Sequence, residues 1–270
     1  MNTILLGSNG WIGTHILKNS QSNLKTLNSS NLNKHDFETW LHSETAECYI
    51  NCIGKNSGPE ADMEWSNIGV VESILNHAKK TGARVINLGS ASEYGNAQVQ
   101  EIDEEFDPNP TSTYGKQKLV ANQMINEFVN QGGSGVATRI FNVVGARQSS
   151  STAIGQIIAR MRELKPGGEI QVANYDIVRD YISIDFVVEV ISKLATESFS
   201  GTLNIGSGRP VILGDLLHEI GIVLNTTAVP GHLYKDRIPV VVASTNRLKS
   251  LGFSSENCSL EELAVIATNS

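Results

Sequence analysis

The chain has 270 residues, of which 40% are hydrophobic and 18% are charged, a composition typical of a folded protein with a sizeable core. The formal net charge of −7 and the lack of a basic patch argue against sequence-independent binding of nucleic acid. No apolar run approaches the ~18 residues of a membrane-spanning helix, and no signal peptide precedes the first predicted strand, so we expect a cytoplasmic protein without a membrane partner.

Short apolar strands alternate with amphipathic segments along the first half of the chain. The predicted strands cover residues 3–6, 24–27, 48–53, 84–89 and 135–141, and the predicted helices cover residues 11–19, 37–42, 63–81 and 118–129. This alternation predicts an α/β fold with a Rossmann-like, doubly wound parallel sheet. In such a sheet, ligands bind at the carboxyl ends of the strands.

After Gly145 the alternation is less regular. We predict helices over residues 154–164, 185–195, 213–224 and 246–251, and strands over residues 169–172, 180–184 and 203–206. No linker separates these elements from the first half. We therefore predict a dinucleotide-binding domain over residues 1–145, to which residues 181–205 return, and a small interwoven substrate-binding lobe formed by residues 146–180 and 206–270.

A glycine-rich turn, Gly7-x-x-Gly10-x-x-Gly13, directly follows the first predicted strand. Such a turn brings backbone amides at a helix N-terminus up to a pyrophosphate without an intervening side chain. A surface turn is the alternative interpretation, but the position between a strand and a helix favours nucleotide binding.

The segment after the second predicted strand contains no acidic residue of the kind that binds the adenosine ribose and favours NAD. Ser29 and Ser30 could donate hydrogen bonds to a 2′-phosphate, although no arginine accompanies them, so the sequence slightly favours NADP over NAD. Asp36 either accepts a hydrogen bond from the adenine amino group or caps the short helix after it.

The three cysteines, Cys48, Cys52 and Cys258, do not have the spacing of a disulfide scaffold. Cys48 and Cys52 lie in an apolar run that reads as a buried strand, where this spacing is poor geometry for zinc. We predict buried thiols and no metal site.

Tyr114 and Lys118 share one face of a predicted helix, because residues four apart are neighbours on a helix surface. The ammonium group is expected to lower the pKa of the phenol, which would let Tyr114 exchange a proton with a substrate near neutral pH. This spacing is weak evidence alone. Ser90 and Ser92, in a run of small residues after the fourth predicted strand, could supply hydroxyl groups to a ligand, although a serine-rich turn is the simpler reading.

The order of these motifs is more specific than any one of them. The chain contains, in sequence, Gly7-x-x-Gly10-x-x-Gly13, Asp36-Phe37, Asn51-Cys52-Ile53-Gly54, Asn67, Ser90…Tyr94-Gly95, Tyr114-x-x-x-Lys118 and Arg139-Ile140-Phe141-Asn142-Val143-Val144-Gly145. This order resembles the extended short-chain dehydrogenase/reductases, and more narrowly the NAD(P)-dependent sugar-nucleotide epimerase/dehydratase/reductase family. The resemblance runs from Met1 to about Ile205.

The resemblance implies a catalytic role for three residues. Tyr114 would be the proton donor or acceptor, Lys118 would lower its pKa and hold the nicotinamide ribose, and Ser90 would hydrogen-bond the reacting sugar oxygen. The cofactor-binding residues expected from the motifs and the resemblance are Gly7, Asn9, Gly10, Trp11, Ile12, Gly13, Ser29, Ser30, Asp36, Phe37, Cys52, Ile53, Gly54, Asn67, Tyr114 and Lys118.

The resemblance also implies a substrate site. Its expected residues are Ser90, Ala91, Ser92, Asn142, Arg179 and Arg237. Arg179 would pair with the sugar diphosphate, a bidentate contact suited to guanidinium, and a surface ion pair with Asp180 is the alternative. A second phosphate-binding arginine has no clear match, and Lys235 and Arg237 are the candidates.

Dehydratases that the chain resembles carry an Asp-Glu pair just after the catalytic threonine, and the equivalent positions here are Ala91 and Ser92. Glu93 is displaced by one residue, so on a strand it would point to the opposite face. Dehydration is therefore disfavoured.

The function expected from this resemblance is NAD(P)H-dependent reduction of a nucleoside-diphosphate 4-keto-6-deoxy sugar in deoxysugar biosynthesis. A C4 epimerase with retained NAD is the first alternative, and a non-catalytic nucleotide-sensing protein on the same fold is the second. Reduction of a non-nucleotide aldehyde or ketone is a further possibility. The resemblance also implies a homodimer formed through the helix after Tyr114 and the helix over residues 63–81.

Overall fold

A computed structural model describes residues 2–20, 24–27, 33–97, 101–232, 240–254 and 257–269 of the chain. In these ranges, no helix is both long enough and apolar enough to span a membrane. The cysteines Cys48, Cys52 and Cys258 are free thiols. Burial raises the pKa of both Cys48 and Cys52 to about 12, which leaves these thiols unreactive at neutral pH.

The strands alternate with helices as the sequence predicts. The strands are β1 (Thr3–Leu6), β2 (Lys25–Leu27), β3 (Cys48–Asn51), β4 (Arg84–Leu88), β5 (Gly135–Ile140), β6 (Asn142–Val144), β7 (Glu169–Ala173), β8 (Val178–Arg179), β9 (Tyr181–Ser183), β10 (Gly201–Ile205), β11 (Val211–Ile212), β12 (Thr227–His232) and β13 (Val240–Val241). The helices are α1 (Trp11–Asn19), α2 (Lys34–Ser43), α3 (Glu60–Glu64), α4 (Val70–Thr81), α5 (Thr113–Asn130), α6 (Ala153–Arg162), α7 (Ile184–Leu194), α8 (Leu213–Leu224), α9 (Asn246–Ser250) and α10 (Leu260–Thr268).

The chain divides into two compact units. The first consists of Met1–Gly95, Asp107–Ile140 and Val188–Ile205. Its sheet has the strand order β10-β5-β4-β3-β1-β2, and every pairing in it is parallel. This is the predicted doubly wound α/β architecture, with β10 returning to the sheet beside β5.

The core of the first unit lies between the sheet and helices α4 and α5. Ile4, Tyr49 and Val85 from the strands belong to one buried cluster with Ile74 of α4 and Ile125 of α5. Each of these side chains is at most 1% exposed. Burial of an aliphatic side chain of this size contributes about 1.5–3 kcal/mol, so this layer is a large contributor to the stability of the first unit.

The helix predicted over residues 63–81 is interrupted. A π-helical turn, Trp65–Gly69, separates α3 from α4. A Cβ on Gly69 would lie 2.3 Å from the Trp65 ring, so the indole lies directly over the glycine. The apolar spacing predicts a helix here, but it does not show that one turn is wider than the others, because that depends on packing of the Trp65 ring.

The second unit consists of Asn96–Phe106, Phe141–Val187 and Gly206–Ser270. Within it β6 pairs with β9 and β7 with β12, both parallel, while β8 lies between β11 and β13. Helices α6, α8 and α10 supply its core through residues that include Ile158, Met161, Leu217 and Leu263.

Besides residues 141–145, two segments lie in the second unit although we predicted them in the first. Ile102 donates its amide to Val242 at 2.8 Å and accepts the amide of Ser244 at 2.8 Å, which places residues 96–106 in the second unit. Strand β9 pairs with β6 of the second unit, so the return to the large sheet begins at Val188 rather than at residue 181. Both differences depend on long-range strand pairing, which local sequence patterns do not specify.

Candidate active site

The glycines after β1 are required by the path of the backbone. Gly7 has a φ of +76°, and a Cβ on it would lie 2.9 Å from the carbonyl carbon of Cys52. A Cβ on Gly13 would lie 2.2 Å from the carbonyl oxygen of Gly7. The Gly10 amide donates to the same oxygen at 3.0 Å, which closes the turn. The spacing of these glycines therefore reflects close backbone contacts within the turn.

This turn presents the N-terminus of α1. Gly10 is the N-cap and has no side chain to cap the helix, and Asn9 and Gly10 are exposed. Trp11 and Ile12, in the first turn of α1, are half-buried. Uncapped amides and the helix dipole make such an N-terminus suited to an anionic group. The predicted dinucleotide-binding residues of this segment thus lie together.

The loop after β3 is the second predicted cofactor segment. Its Cys52 amide donates to Leu6 at 3.0 Å, so the loop begins beside the end of β1. A Cβ on Gly54 would lie 2.9 Å from the Lys118 amine and 3.1 Å from the Asn67 side chain. Ile53 is half-buried and Gly54 is exposed. The structure therefore brings this loop together with one of the predicted catalytic residues.

Asn67 forms structural hydrogen bonds that the sequence does not reveal. Its side-chain amide donates to the carbonyl of Lys55 at 2.8 Å and to the Gln117 side chain at 2.8 Å. Its side-chain oxygen accepts the Lys55 amide at 3.0 Å. Asn67 therefore ties the loop after β3 to α5, and in this structure its amide is used within the protein.

The Asp36-Phe37 motif lies in α2. The helix begins earlier than predicted, and its N-cap is Asn33, whose side chain accepts the Asp36 amide at 3.0 Å. Asp36 is thus not the cap, and it is exposed. Phe37 is 1% exposed and packs edge-on against Trp65 in the core. The structure gives Phe37 a packing role. Ser29, Ser30, Lys235 and Arg237 lie outside the described residues.

The segment after β4 is not a continued strand. Ala91–Tyr94 forms a 3₁₀ helix capped by Ser90, whose hydroxyl accepts the Ser92 amide at 3.1 Å. The Glu93 carboxylate accepts the Ser90 amide at 3.0 Å, which completes a capping box. The prediction that Glu93 points to the opposite face of a strand is therefore wrong in its geometry. Glu93 faces inward because it is the third residue of a capped helix.

Helix α5 places Tyr114 beside Ser90. Ser112 caps the helix by accepting the Gly115 amide at 3.0 Å, so Tyr114 lies in the first turn. A Cβ on Gly115 would lie 2.5 Å from the carbonyl oxygen of Ser92, so the helix closely approaches the 3₁₀ helix there. The Tyr114 and Ser90 side chains are hydrogen-bonded to each other.

Lys118 is on the same face of α5 as Tyr114, as the spacing predicts. Its amine lies 5.8 Å from the centroid of the Tyr114 ring and donates to the carbonyl oxygen of Leu88 at 2.8 Å. Only 5% of the residue's surface is exposed. The structure thus brings together all three predicted catalytic residues, Ser90, Tyr114 and Lys118.

The pKa of Tyr114 lies above its ordinary value in this structure, although the sequence predicts a lowered one. Burial raises the pKa of Tyr114 to about 12, the Ser90 hydrogen bond lowers it and the Glu93 charge raises it. Burial also lowers the pKa of Lys118 to about 8, while Glu93 and Cys52 raise it. Loss of solvent is the largest of these causes for Tyr114, and a phenol with a raised pKa is neutral at pH 7.

A buried polar network below this site was missed by sequence reasoning. Glu93 accepts a hydrogen bond from Arg139 at 3.0 Å and from Asn122 at 2.6 and 2.7 Å. Arg139 also donates to the Tyr94 hydroxyl at 2.9 Å, and that hydroxyl donates to Asn204 at 2.7 Å. The sequence contained one signal of this network: Glu93 lies in one motif and Arg139 in another. Buried charges usually occur in pairs, so the two residues could have been predicted to interact.

The predicted substrate residues are divided between the units. Ala91 is buried and Ser92 is exposed, both on the 3₁₀ helix of the first unit. Asn142 and Arg179 lie in the second unit. The Asn142 side chain donates to the main-chain oxygen of Asp180 at 2.9 Å. Arg179 is half-buried and donates to the Val178 oxygen at 2.9 Å.

Asp180 anchors this part of the second unit. It is 0% exposed, and its carboxylate accepts the Ser207 amide and hydroxyl at 2.8 and 2.6 Å. The other carboxylate oxygen accepts the amides of Gly208 and Ala243 at 2.9 and 3.1 Å. The alternative interpretation, in which Asp180 is the exposed partner of Arg179, is therefore wrong, because Asp180 is a buried acceptor of backbone amides.

A model of the NAD dependent epimerase/dehydratase family matches residues 3–206. The chain belongs to this family. The resemblance found in the sequence motifs is confirmed.

Two relatives from this comparison act on nucleotide-linked deoxy sugars by name. The chain is 29% identical over 203 residues to a dTDP-6-deoxy-L-talose 4-dehydrogenase (NAD(P)(+)) from Kitasatospora kifunensis, a match that covers 70% of this chain and 64% of the relative. It is 25% identical over 194 residues to a GDP-6-deoxy-D-mannose reductase from Pseudomonas aeruginosa, covering 66% of this chain and 63% of the relative. The match thus spans less than two thirds of either relative.

Two solved structures have the same fold as this chain. The RMD protein from Pseudomonas aeruginosa, complexed with NADPH, superposes with a TM-score of 0.83 at 20% identity, over 99% of this chain and 98% of that one. The UDP-glucose 4-epimerase from Thermus thermophilus, complexed with NAD, gives a TM-score of 0.83 at 17% identity, with the same coverage. These similarities confirm the predicted Rossmann-like α/β fold.

Proposed function

We propose that the protein reduces the 4-keto group of a nucleoside-diphosphate 4-keto-6-deoxy sugar, using NADPH or NADH. The names of the Kitasatospora kifunensis and Pseudomonas aeruginosa relatives, a 4-dehydrogenase and a reductase of nucleotide-linked 6-deoxy sugars, support this substrate class. Ala91 and Ser92 occupy the positions of the acidic pair that dehydration requires, and neither can remove a proton from carbon.

The residues present fit a bound dinucleotide. The turn from Gly7 to Gly13 has no room for added side chains and leads into the uncapped N-terminus of α1, which suits a pyrophosphate. Lys118 adds a buried cation beside Gly54. These groups would hold the cofactor together with the loop after β3. Ser29 and Ser30 would receive a 2′-phosphate, which makes NADPH the slightly favoured form.

When bound, the reduced dinucleotide supplies a hydride to the ketone carbon. The chain's own residues act on the oxygen. Ser90 orients the carbonyl by donating a hydrogen bond, and Tyr114 transfers its phenolic proton to the oxygen as negative charge develops there. Lys118 provides a buried positive charge near the phenol, which stabilises the phenolate left after proton transfer.

The grouping of Tyr114, Ser90 and Lys118 at the carboxyl end of β4 is the observation that carries this proposal. Reduction requires the proton donor to start as a neutral phenol, and the raised pKa of Tyr114, about 12, keeps it in that form at neutral pH. Its hydrogen bond to Ser90 places the donor and the orienting hydroxyl side by side. In the opposite direction, oxidation of an alcohol would require the phenolate.

Substrate recognition is proposed for the residues that the family resemblance indicates. Ser92 and Ala91 would contact the sugar, and Asn142 and Arg179 would bind the sugar and its diphosphate. Arg237 is proposed as a second phosphate contact.

The direct test incubates the purified protein with NADPH or NADH and a panel of dTDP-, GDP-, UDP- and CDP-linked 4-keto-6-deoxy sugars. We expect one mole of dinucleotide to be oxidised per mole of sugar reduced. Tyr114→Phe should lower kcat by about 10²–10⁴-fold, the usual contribution of a positioned proton donor. Binding of NADPH should persist, since the phenyl ring keeps the packing.

Other outcomes would contradict the proposal. Sugar interconversion without net consumption of dinucleotide would indicate a C4 epimerase with retained NAD. Binding of dinucleotide and nucleotide sugar without any turnover would indicate a nucleotide sensor. Unchanged turnover of the Tyr114→Phe variant would exclude the assigned proton donor.

A further inference from the structure

Glu93 lies below the candidate active site and is 0% exposed. Its carboxylate accepts the Ser90 amide at 3.0 Å, the Asn122 side chain at 2.6 and 2.7 Å and the Arg139 guanidinium at 3.0 Å. The proposed reduction does not use Glu93 in any of its steps. Its surroundings nevertheless connect it to each of the catalytic residues.

The contacts of Glu93 fit the ionised form. Each group that faces its two oxygens is a donor: a backbone amide, a side-chain amide and a guanidinium. A protonated carboxyl group would place its own hydrogen against one of them. Burial raises the pKa of Glu93, while Arg139, the Ser90 amide and Asn122 lower it. The carboxylate with the Arg139 cation is therefore the satisfied state.

Glu93 determines where Ser90 lies. Ser90 and Glu93 form the two halves of the capping box, since the Ser90 hydroxyl accepts the Ser92 amide while the Ser90 amide donates to Glu93. Glu93 is held from behind by Asn122 of α5 and Arg139 of β5. The sheet and α5 thus fix the residue whose hydroxyl would orient the substrate carbonyl.

Glu93 also acts on α5 through its charge. The charge raises the pKa of Tyr114 and that of Lys118. The other charged or titratable groups near these residues are Arg139 from β5, which neutralises part of the Glu93 field, and Cys52 from the loop after β3, which interacts with Lys118. Glu93 is the carboxylate common to both members of the tyrosine–lysine pair.

We propose that Glu93 is a positioning residue. Its carboxylate holds Ser90 in place by accepting the Ser90 backbone amide, and its negative charge acts on both Tyr114 and Lys118. The effect of Glu93 on catalysis, as inferred here, rests on the proposed function. The structural and electrostatic parts of the proposal are testable without turnover. The residue touches neither substrate nor cofactor in this assignment.

The first experiment titrates Lys118 in the cofactor-free protein. NMR of protein labelled at the lysine side chains, with Lys118→Met to assign the signal, should show a Lys118 pKa of about 8. In Glu93→Gln, which keeps the side-chain shape and removes the charge, this pKa should be lower. An unchanged pKa would overturn the electrostatic part of the proposal whether or not the protein is a reductase.

The second experiment measures kinetics across pH. In Glu93→Gln, kcat at pH 7 should fall by about tenfold, and the loss of activity at high pH should begin at a lower pH, since both groups lose a charge that raises their pKa values. The dissociation constant of NADPH should change by less than about twofold. A purely structural role would lower Tm but leave the pH profile in place.

Glu262→Gln is the matched control. Glu262 occupies the same position of a second capping box, where it accepts the Ser259 amide at 2.7 Å at the start of α10 in the second unit. This variant should lose some stability and keep the wild-type pH profile. A pH shift equal to that of Glu93→Gln would contradict the proposal.

Glu93→Gln leaves the buried Arg139 charge unpaired, which destabilises the fold. A second variant is therefore needed in case the first does not fold. The double variant Glu93→Gln with Arg139→Met removes both charges and should also show a lowered Lys118 pKa, with a smaller decrease than Glu93→Gln alone because the opposing Arg139 charge is lost too. If neither variant folds, Glu93 is a folding requirement and the positioning proposal is overturned. If the wild type shows no reduction, the proposed function fails while the Lys118 titration still decides about Glu93.

Discussion

The Lys118 amine donates a hydrogen bond to the main-chain oxygen of Leu88 at 2.8 Å. Leu88 is the last residue of β4, so the lysine links α5 to the carboxyl end of the sheet at the point where the chain turns to Ser90. The interaction holds a buried cation in a place where water cannot solvate it. Such an arrangement costs stability, which suggests that it is retained for function.

Lys118→Met should therefore stabilise the cofactor-free protein and remove activity. Burial lowers the pKa of Lys118 from 10.5 to about 8, so at pH 7 the folded protein holds a charge that its surroundings disfavour. An apolar side chain of similar length should raise the free energy of unfolding by on the order of 1–3 kcal/mol. Urea unfolding and turnover measure the two effects. A variant that is less stable than the wild type would contradict this interpretation.

Gly13→Ala should destabilise the protein and weaken dinucleotide binding together. The added Cβ would lie 2.2 Å from the Gly7 oxygen, so the turn must move. We expect a loss of about 1–3 kcal/mol, typical of overpacking, and a dissociation constant for NADPH at least about tenfold higher. Thermal unfolding and titration calorimetry report these changes. Lys18→Ala, on the exposed side of the same helix, should leave both unchanged.

His77 should make the protein sensitive to mild acid. The residue is 5% exposed, its ring packs edge-on against Tyr49 and His42, and burial followed by the His42 charge lowers its pKa below 6.5. Below pH 6.5 the unfolded chain takes up a proton that the folded protein excludes. The free energy of unfolding should thus fall as the pH drops from 6.5 toward the folded-state pKa, and be unaffected by His77 above that window.

Unfolding of His77→Phe, which cannot titrate, should show a smaller decrease over the same pH range. His218→Gln, at an exposed position on α8, is the control and should behave as the wild type does. An equal acid response of His77→Phe and the wild type would show that other groups cause it.

Asp180→Asn should destabilise the second unit and raise KM for the nucleotide sugar. The amide group would place two hydrogens among donors that now face a carboxylate, Ser207, Gly208 and Ala243. The loss should be about 2–4 kcal/mol, and Asn142, which bonds to the Asp180 main chain, should be displaced. Denaturant unfolding and steady-state kinetics check both effects. Asp185→Asn, exposed in α7, should alter neither.

The sequence by itself determined the alternation of elements, the helical spacing of Tyr114 and Lys118 and the glycine turn after β1. These features are local, because apolar periodicity, the four-residue spacing of Tyr114 and Lys118 and the backbone freedom of glycine each depend on a few neighbouring residues. The family resemblance adds their order along the chain. For these reasons the α/β fold and the proximity of Ser90, Tyr114 and Lys118 could be predicted without coordinates.

Only the tertiary structure decided the protonation state of the site and the position of Glu93. Spacing suggests that Lys118 acidifies Tyr114, but the pKa of Tyr114 depends mainly on how much solvent the folded chain excludes from the phenol. In the sequence, Glu93 looks like a catalytic acid displaced by one residue. In the structure, a 3₁₀ helix turns it inward toward Arg139, 46 residues away. Solvent exclusion and long-range pairing are properties of the packed chain, so no local pattern encodes them.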